Sequence, residues 1–213
     1  DATVESRQQG RVRIAKHVEL IKEMISEILE FTQPERGDVV LCPLNFSQFA
    51  SQLLAEIGQE TGLKSVSLQV MNPPPDISAS FDPKRLRRVF QNLVHNAVEA
   101  MPEGGNIYVR FQVGERRRTS TSQPATEEIV TEIEDTGPGI APEIADRLFE
   151  AFATHGKAHG TGLGLSICRK IMEDHQGWIT AGSALSGGAC FRFAIPTCNV
   201  HSPATASISG YKS

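Results

Sequence analysis

The sequence has too few cysteines, spaced too irregularly, to form a disulfide framework or a zinc site. Only four cysteines occur in 213 residues, and none of them is part of a Cys-x-x-Cys pair. Cysteines in this arrangement are typical of reduced, mostly buried thiols in the cytoplasm. The sequence therefore predicts a cytoplasmic protein without a structural zinc ion.

Long apolar runs and an excess of basic charge are missing as well. No stretch of about 18 apolar residues occurs, so nothing in the sequence predicts a membrane span. The net charge is −4 at pH 7, and the one short basic run, Arg116 to Arg118, adjoins a Thr/Ser-rich stretch typical of a solvated loop. We therefore expect neither a nucleic-acid partner nor membrane contact by this chain.

Apolar residues near the amino terminus repeat with a period of 3.5. Their spacings alternate between four and three residues: Ile14, Val18, Ile21, Ile25 and Ile28. Such a stripe faces another helix in a coiled coil or bundle, and no matching long amphipathic helix occurs elsewhere in the sequence. The pattern predicts a homodimer through this helix. The alternative is that the helix packs on its own domain.

Breaks in composition divide the chain into four parts. Pro34, Gly37 and Pro43 interrupt the helical pattern and predict a hinge over residues 33–43. The predicted parts are the helical segment 1–32, the hinge 33–43, the main domain 44–196 and a Ser/Ala/Thr-rich, disordered tail 197–213.

The main domain mixes helices with hairpin-connected strands. Asp82 followed by Pro83 is typical of a helix start, and the helical period then continues to Met101. The other predicted elements are helices from Asn45 or Ser47 to Gly62, over 142–149 and over 162–175, strands over 66–70, 107–111, 129–133, 178–181 and 190–195, and a polar loop over 115–127. This order predicts an α+β fold, a two-layer α/β sandwich with helices on one face of a mixed sheet, preceded by the dimerisation helix.

Two asparagines on the third predicted helix form the first candidate site. Asn92 and Asn96 are four residues apart, so both amides project from one face. A carboxamide oxygen is a hard, neutral ligand that suits Mg²⁺, which also takes oxygens from phosphates. The alternative is a pair of polar residues on an exposed helix face.

The second candidate segment runs from Glu134 to Ile140 and directly follows a predicted strand. Asp135 stands at the strand's end, where its carboxylate can accept a hydrogen bond from an exocyclic amino group such as that of adenine. Gly137 and Gly139 allow the backbone to approach a flat ring closely. An ordinary Asp-x-Gly turn is the alternative.

The third candidate segment is a glycine-rich loop that leads into a helix. Its residues are Gly160, Thr161, Gly162, Leu163, Gly164 and Leu165. Backbone N–H groups at a helix start attract anions, and glycines remove side chains that would block phosphates. The loop has no Gly-Lys-Ser and no ribose-binding acid after a first βα turn, so it is neither a P-loop nor a dinucleotide fingerprint.

Together, in this order, the three segments resemble the ATP-binding domain of sensor histidine kinases. That domain belongs to a wider superfamily with gyrase, MutL and the large heat-shock chaperone ATPases, and its sandwich is the Bergerat fold. The matching boxes are the asparagine box at 92–96, the first glycine box at 135–139, the phenylalanine box at 148–152, the second glycine box at 160–165 and the ending at 172–191. Ala151 replaces the usual proline of the phenylalanine box.

The resemblance implies a role for each segment. Asn96 would hold Mg²⁺ with help from Asn92, and Asp135 would read the adenine amino group of ATP or ADP. Segment 141–161 would be a mobile lid, with Lys157 reaching the phosphates. The remaining implied nucleotide contacts are Gly137, Gly139, Ile140, Gly160, Thr161, Gly162, Leu163, Gly164 and Leu165.

The family's substrate histidine box is absent from this sequence. His17 lies on the heptad-bearing helix but is followed by Val-Glu-Leu, so residues 1–32 resemble only the second helix of the dimerisation hairpin. The resemblance therefore implies a catalytic module that transfers the ATP γ-phosphate to a histidine on another segment of the parent kinase. A cognate response regulator would be the next partner.

Two other functions remain open from the sequence alone. ATP-driven machines of the gyrase type carry a glutamate base at the position of Asn92, and asparagine cannot take a proton from water, so hydrolysis would be feeble here. A module that binds nucleotide without transferring phosphate is the other alternative. An anti-sigma kinase fits less well, since that class lacks the long dimerising helix.

Overall fold

The computed structural model describes residue 25 and residues 39–62, 65–116, 126–154, 161–184 and 186–198. Ile25 is helical and half exposed. The rest of the predicted heptad-bearing helix, residues 155–160 of the predicted lid and residues 199–213 of the predicted tail lie outside the described residues. The predicted dimer and the division into four parts stay predictions.

The described part contains seven strands and four helices in the predicted mixture. The strands are β1 (Cys42–Asn45), β2 (Val66–Val70), β3 (Ser78–Phe81), β4 (Gly105–Arg116), β5 (Thr126–Asp135), β6 (Trp178–Ser183) and β7 (Ala189–Pro196). The helices are α1 (Phe46–Gly62), α2 (Pro83–Ala100), α3 (Pro142–Ala145) and α4 (Gly164–Asp174). The predicted α+β fold class is confirmed.

Five strands form one mixed sheet in the order β2-β4-β5-β7-β6. β2 runs parallel to β4, and the other neighbours are antiparallel. Alternate side chains of β4 (Ile107, Val109 and Phe111) are buried, as expected for a sheet with one face against the core. The ring of Phe90 on α2 packs edge-on against Phe193 of β7, with centroids 5.1 Å apart. The helices and this face therefore share one core.

The start of α2 is held by two different devices. Asp82 Oδ1 accepts hydrogen bonds from the N–H groups of Lys84 and Arg85 at 3.0 and 3.1 Å, and Pro83 occupies the first helical position. Asp82 N–H in turn donates to Nε2 of the buried His175 at 2.9 Å. Because Nε2 accepts, Nδ1 carries the proton and donates to the Ile171 carbonyl at 2.7 Å. His175 thus ties the end of α4 to the start of α2.

The structure differs from the prediction in short strands and in boundaries. β1 and β3 were not predicted; they pair with each other, and Cys42 and Pro43 of the predicted hinge lie in β1. The loop predicted over 115–127 is too long, because Glu115 pairs with Glu127 across the hairpin. Backbone pairing does not require apolar side chains, so these polar strand ends gave no alternating pattern.

Thr197 and Cys198, the first two residues of the predicted tail, contact the neighbouring strands. Thr197 is buried, forms a β-bridge with Ala79 and donates its N–H to the Glu127 carbonyl at 2.9 Å. The Cys198 N–H donates to the Ser78 carbonyl at 3.0 Å. These two residues join the small β1–β3 sheet to the end of β7.

Thr131 generates a prediction about stability. Its register partners on β4 and β7 are Phe111 and Phe193, and its buried hydroxyl has no hydrogen-bond partner within the described ranges. A buried hydroxyl without a partner costs about 1–3 kcal/mol. We expect Thr131→Val to raise the free energy of unfolding by about 1 kcal/mol, measured by urea denaturation. The exposed Thr180→Val is the control, expected within about 0.5 kcal/mol of wild type, and a destabilised Thr131→Val would contradict the prediction.

Candidate functional site

The two asparagines lie on α2, and the structure joins one of them to the glycine-rich loop. Asn92 and Asn96 are both half buried. Asn92 Nδ2 donates to the Gly164 carbonyl at 3.2 Å and contacts Cys168 Sγ at 3.7 Å. Burial raises the pKa of the Cys168 thiol to about 12, so this contact is with a neutral thiol. The sequence motif at 92–96 and the motif at 160–165 therefore meet in space.

The described part of the glycine-rich loop packs against the end of the phenylalanine box. The Phe152 N–H donates to the Gly162 carbonyl at 2.9 Å. A Cβ on Gly162, whose φ is +70°, would lie 2.6 Å from the Phe152 carbonyl carbon, so only glycine fits there. Leu163 is buried, and its N–H donates to Thr161 Oγ1 at 3.3 Å. The loop is thus a folded turn that leads into α4.

Asp135 is a buried carboxylate at the end of β5. Its Oδ1 accepts two backbone hydrogen bonds, from Gly137 N–H at 2.9 Å and from Ala189 N–H at 3.1 Å. Burial raises the pKa of the Asp135 carboxyl above its ordinary value, and the two N–H donors oppose that rise. Both hydrogen bonds fall on Oδ1, and no described residue bonds to Oδ2.

The remaining parts of the first glycine box pack against the protein on three sides. A Cβ on Gly137 would lie 3.3 Å from Met101 Cγ and 3.0 Å from Asp135 Oδ1. Gly139 has a φ of +81°, and its Cβ would lie 2.8 Å from the Gly187 carbonyl oxygen. Ile140 is partly buried against the core. A side chain at Gly137 or Gly139 would therefore crowd neighbouring protein atoms, and the predicted contact of these glycines with a flat ring stays a prediction.

Helix α2 separates the two glycine segments by a fixed distance. A Cβ on Gly164 would lie 3.8 Å from Asn92 Cγ, and a Cβ on Gly137 would lie 3.5 Å from Ala100 Cβ. These positions are eight residues apart on one helix, or about 12 Å along its axis. The helix can hold a base at its carboxyl end and a phosphate chain beside Asn92.

The sequence did not assign some residues to the site, and other predicted site residues lie outside the described residues. Gly188 and Ala189, where the β6–β7 turn enters β7, contact Asp135, although the sequence assigned them only to the matching ending at 172–191 and not to the site. Met101 was taken as a helix end, and it is a buried side chain under Gly137. Lys157 and Gly160 lie outside the described residues, so their roles stay predictions.

The donor set suits Mg²⁺ bound largely by phosphates better than an all-protein metal site. No cluster of three or more His, Cys, Asp or Glu side chains able to hold a metal occurs within the ranges that the structure covers. Asn92 Nδ2 donates to the Gly164 carbonyl, so Oδ1 is the atom of the Asn92 amide that could bind a metal. Carboxamide oxygens together with phosphates are a normal Mg²⁺ environment.

Comparison with known proteins places these motifs in a family. A family model for histidine kinase-, DNA gyrase B- and HSP90-like ATPases matches residues 81–199. The adaptive-response sensory kinase SasA of Gloeothece citriformis (strain PCC 7424) is 30% identical over 200 residues, covering 91% of this chain and 48% of that kinase. The chain thus spans about half the length of this curated relative.

Solved structures give the same result. The catalytic domain of the histidine kinase ThkA is similar with a TM-score of 0.57 and 30% identity, over 73% of this chain and 95% of that domain. A structure of ThkA in complex with the response regulator protein TrrA is similar with a TM-score of 0.64 and 26% identity. That match covers 87% of this chain and 49% of the ThkA chain.

The chain belongs to the family of histidine kinase-, DNA gyrase B- and HSP90-like ATPases, whose model covers more than half of it. Within that family it is the ATP-binding catalytic domain of a two-component sensor histidine kinase. The resemblance seen in the sequence is therefore confirmed. None of the helices in the described residues is both long enough and apolar enough to cross a membrane.

The geometry at Asp135 generates a prediction about base selectivity. In Asp135→Asn, the two N–H donors hold the amide oxygen, so the amide nitrogen faces the base and the direction of the hydrogen bond is reversed. We expect calorimetry to show that this variant binds ATP more weakly than wild type by about 1.5–3 kcal/mol. Its affinity for inosine triphosphate, which has a 6-oxo group, is expected to fall less or to rise. Wild type should bind GTP poorly for the same reason. Equal affinity of wild type for ATP and GTP would contradict the assignment.

Stability separates this effect from damage to the fold. Burial raises the pKa of the Asp135 carboxyl in the folded state. At pH values above that pKa, the ionised carboxylate therefore lowers the free energy of unfolding. This loss disappears as the pH falls below the pKa of Asp135 in the unfolded chain. Asp135→Asn should therefore unfold at pH 7 with a free energy equal to or higher than that of wild type. A markedly less stable variant would mean that lost affinity reports misfolding.

Proposed function

We propose that this domain binds ATP with Mg²⁺ and transfers the γ-phosphate to a histidine of the parent kinase that lies outside this sequence, leaving ADP. The observation that carries the proposal is the position of α2 between the two glycine segments, with Asn92 beside Gly164 and Ala100 beside Gly137. One rigid helix thereby sets the distance between a base site and a phosphate site.

The base would lie against the first glycine box. Asp135 Oδ2 accepts the hydrogen bond of the adenine amino group, while Gly137, Gly139 and Ile140 line the approach of the ring. The buried carboxylate makes this contact selective, because a 6-oxo group would place its oxygen against a negative charge.

The phosphates would lie between α2 and the second glycine box. Asn96 would hold Mg²⁺ with help from Asn92, and the backbone N–H groups of the second glycine box together with Lys157 would bind the phosphate oxygens. Phosphoryl transfer of this kind depends on positioning and on neutralising charge, so no covalent chemistry is required of these residues.

Asn92 supports transfer over hydrolysis. An amide cannot act as the general base that activates water, and its nitrogen is already bound to the Gly164 carbonyl. A carboxylate in place of the Asn92 amide would have no N–H to donate to the Gly164 carbonyl, so two acceptor oxygens would face each other there. The bound γ-phosphate is therefore kept for a nucleophile presented from elsewhere, which sets this domain apart from an ATP-driven machine of the gyrase type.

The partners follow from the relatives and from the sequence. We propose a homodimer through the amino-terminal helix, an acceptor helix of the parent kinase and a cognate response regulator, as ThkA forms a complex with TrrA. The four described cysteines are free thiols, which fits a cytoplasmic domain that draws on the cellular ATP pool.

Phosphotransfer to a supplied acceptor tests the proposal. Incubated alone with γ-labelled ATP and Mg²⁺, the chain is expected to stay unlabelled, because its sequence contains no histidine box. Mixed with a polypeptide that carries the acceptor hairpin of a related sensor kinase, it is expected to place acid-labile phosphate on that hairpin's histidine. Strong self-labelling that disappears in His17→Gln would overturn this assignment of the acceptor.

The same assay tests the metal site. Asn96→Ala should lower the transfer rate by roughly 100-fold or more, since the phosphates lose their Mg²⁺ bridge, and EDTA should abolish transfer by wild type. Gln91→Ala, an exposed change on the same helix, should transfer like wild type. Undiminished transfer by Asn96→Ala would remove that residue from the Mg²⁺ site.

A further inference from the structure

The end of the sheet contains a side chain in place of a backbone pair. The ladder between β5 and β7 ends at the pair Glu134 and Cys190. At the next position, Ala189 N–H donates to the side-chain Oδ1 of Asp135 at 3.1 Å. The carboxylate therefore continues the ladder by one bond, and β7 contributes directly to the orientation of the carboxylate.

The residue before Ala189 allows this contact by having no side chain. A Cβ on Gly188 would overlap the Asp135 carbonyl oxygen and would lie 2.6 Å from the Asp135 carbonyl carbon and 2.7 Å from Oδ1. Gly188 is buried and does not have a positive φ, so the need for glycine comes from close approach alone. Any side chain here must displace the backbone or the carboxylate of Asp135.

The turn that carries Gly188 is held in place by its own hydrogen bonds. Ala184 N–H donates to the Gly188 carbonyl at 2.8 Å, and Gly187 N–H donates to the Ala184 carbonyl at 3.0 Å. Ser186 Oγ donates to Glu134 Oε1 at 3.1 Å, with the Asp135 carbonyl at 3.3 Å. The turn is thus fixed to Glu134 and to Asp135, whose carboxylate it contacts.

We propose that Gly188 is a positioning residue for base selection: by admitting the Ala189 N–H to Asp135 Oδ1, it directs Oδ2 toward the 6-amino group of a purine nucleotide. The inference rests on the proposed ATP-binding function and deepens it. Selectivity then depends on a carboxylate that is already oriented before the nucleotide arrives, so little affinity is lost to ordering it.

Two nucleotides that differ only at the purine 6-position give the decisive test. Binding of ATP and of purine riboside triphosphate, which lacks the 6-amino group, is measured by calorimetry with Mg²⁺ for wild type, Gly188→Ala and Gly182→Ala. Gly182 lies on neighbouring β6, and a Cβ there meets nothing within 4 Å, so it is a matched control.

Wild type and Gly182→Ala are expected to prefer ATP by roughly 10- to 100-fold, as a hydrogen bond to a charged group would give. In Gly188→Ala the preference is expected to fall to within about threefold, with little change in the affinity for the nucleotide that lacks the amino group. A merely structural role would weaken both nucleotides equally.

The possible failures are distinguishable. If wild type bound neither nucleotide, the proposed function would fail and the inference with it. If wild type preferred ATP and a folded Gly188→Ala kept that preference, only the inference would be overturned.

A measurement on wild type covers the case in which Gly188→Ala does not fold. The amide proton resonances of Gly137 and Ala189 are expected to shift together with pH as Asp135 is protonated, and neither shift should occur in Asp135→Asn. An Ala189 resonance that does not follow the titration would overturn the proposal.

Discussion

Two backbone N–H groups, from Gly137 and Ala189, converge on one oxygen of Asp135, and the proposed nucleotide site is built around that buried carboxylate. Taking a carboxylate out of water is costly unless donors are already in place. The β6–β7 turn can supply its donor only by touching the Asp135 backbone, which requires the absence of a side chain at Gly188. One charge therefore fixes the geometry of two chain segments that are far apart in sequence.

Helix α2 connects the Asp135 region with the proposed phosphate site, since it lies against Gly137 at one end and against Gly164 at Asn92. The start of α2 is fixed by the Asp82 cap and by His175 at the end of α4. The middle of α2 is bound to the start of α4, because Asn92 donates to the Gly164 carbonyl. The two helices therefore hold each other at two points along their lengths. The loop before α4 is in turn bound to the phenylalanine box, because the Phe152 N–H donates to the Gly162 carbonyl.

Most of the sheet could be predicted from the sequence because its central strands alternate apolar and polar residues. Ile107, Val109 and Phe111 gave a clear pattern and are buried as expected. β1 and β3 gave none, because a four-residue strand shows too few side chains and each is stabilised mainly by the other. The buried position of Thr197 was hidden for the same reason, since its bridge to Ala79 is a contact between distant segments.

The sequence by itself determined the family and most of the elements, and it predicted the residues that would face a nucleotide, because asparagine spacing, an acid at a strand end and glycine-rich turns are local patterns. Only the tertiary structure decided how these residues are oriented. Asn92 directs its amide nitrogen to Gly164, and Asp135 uses Oδ1 but not Oδ2 to accept the Ala189 N–H. Both orientations follow from hydrogen bonds between segments more than 50 residues apart. Local patterns do not contain such contacts, because a donor's position is fixed only when the sheet and the helices pack.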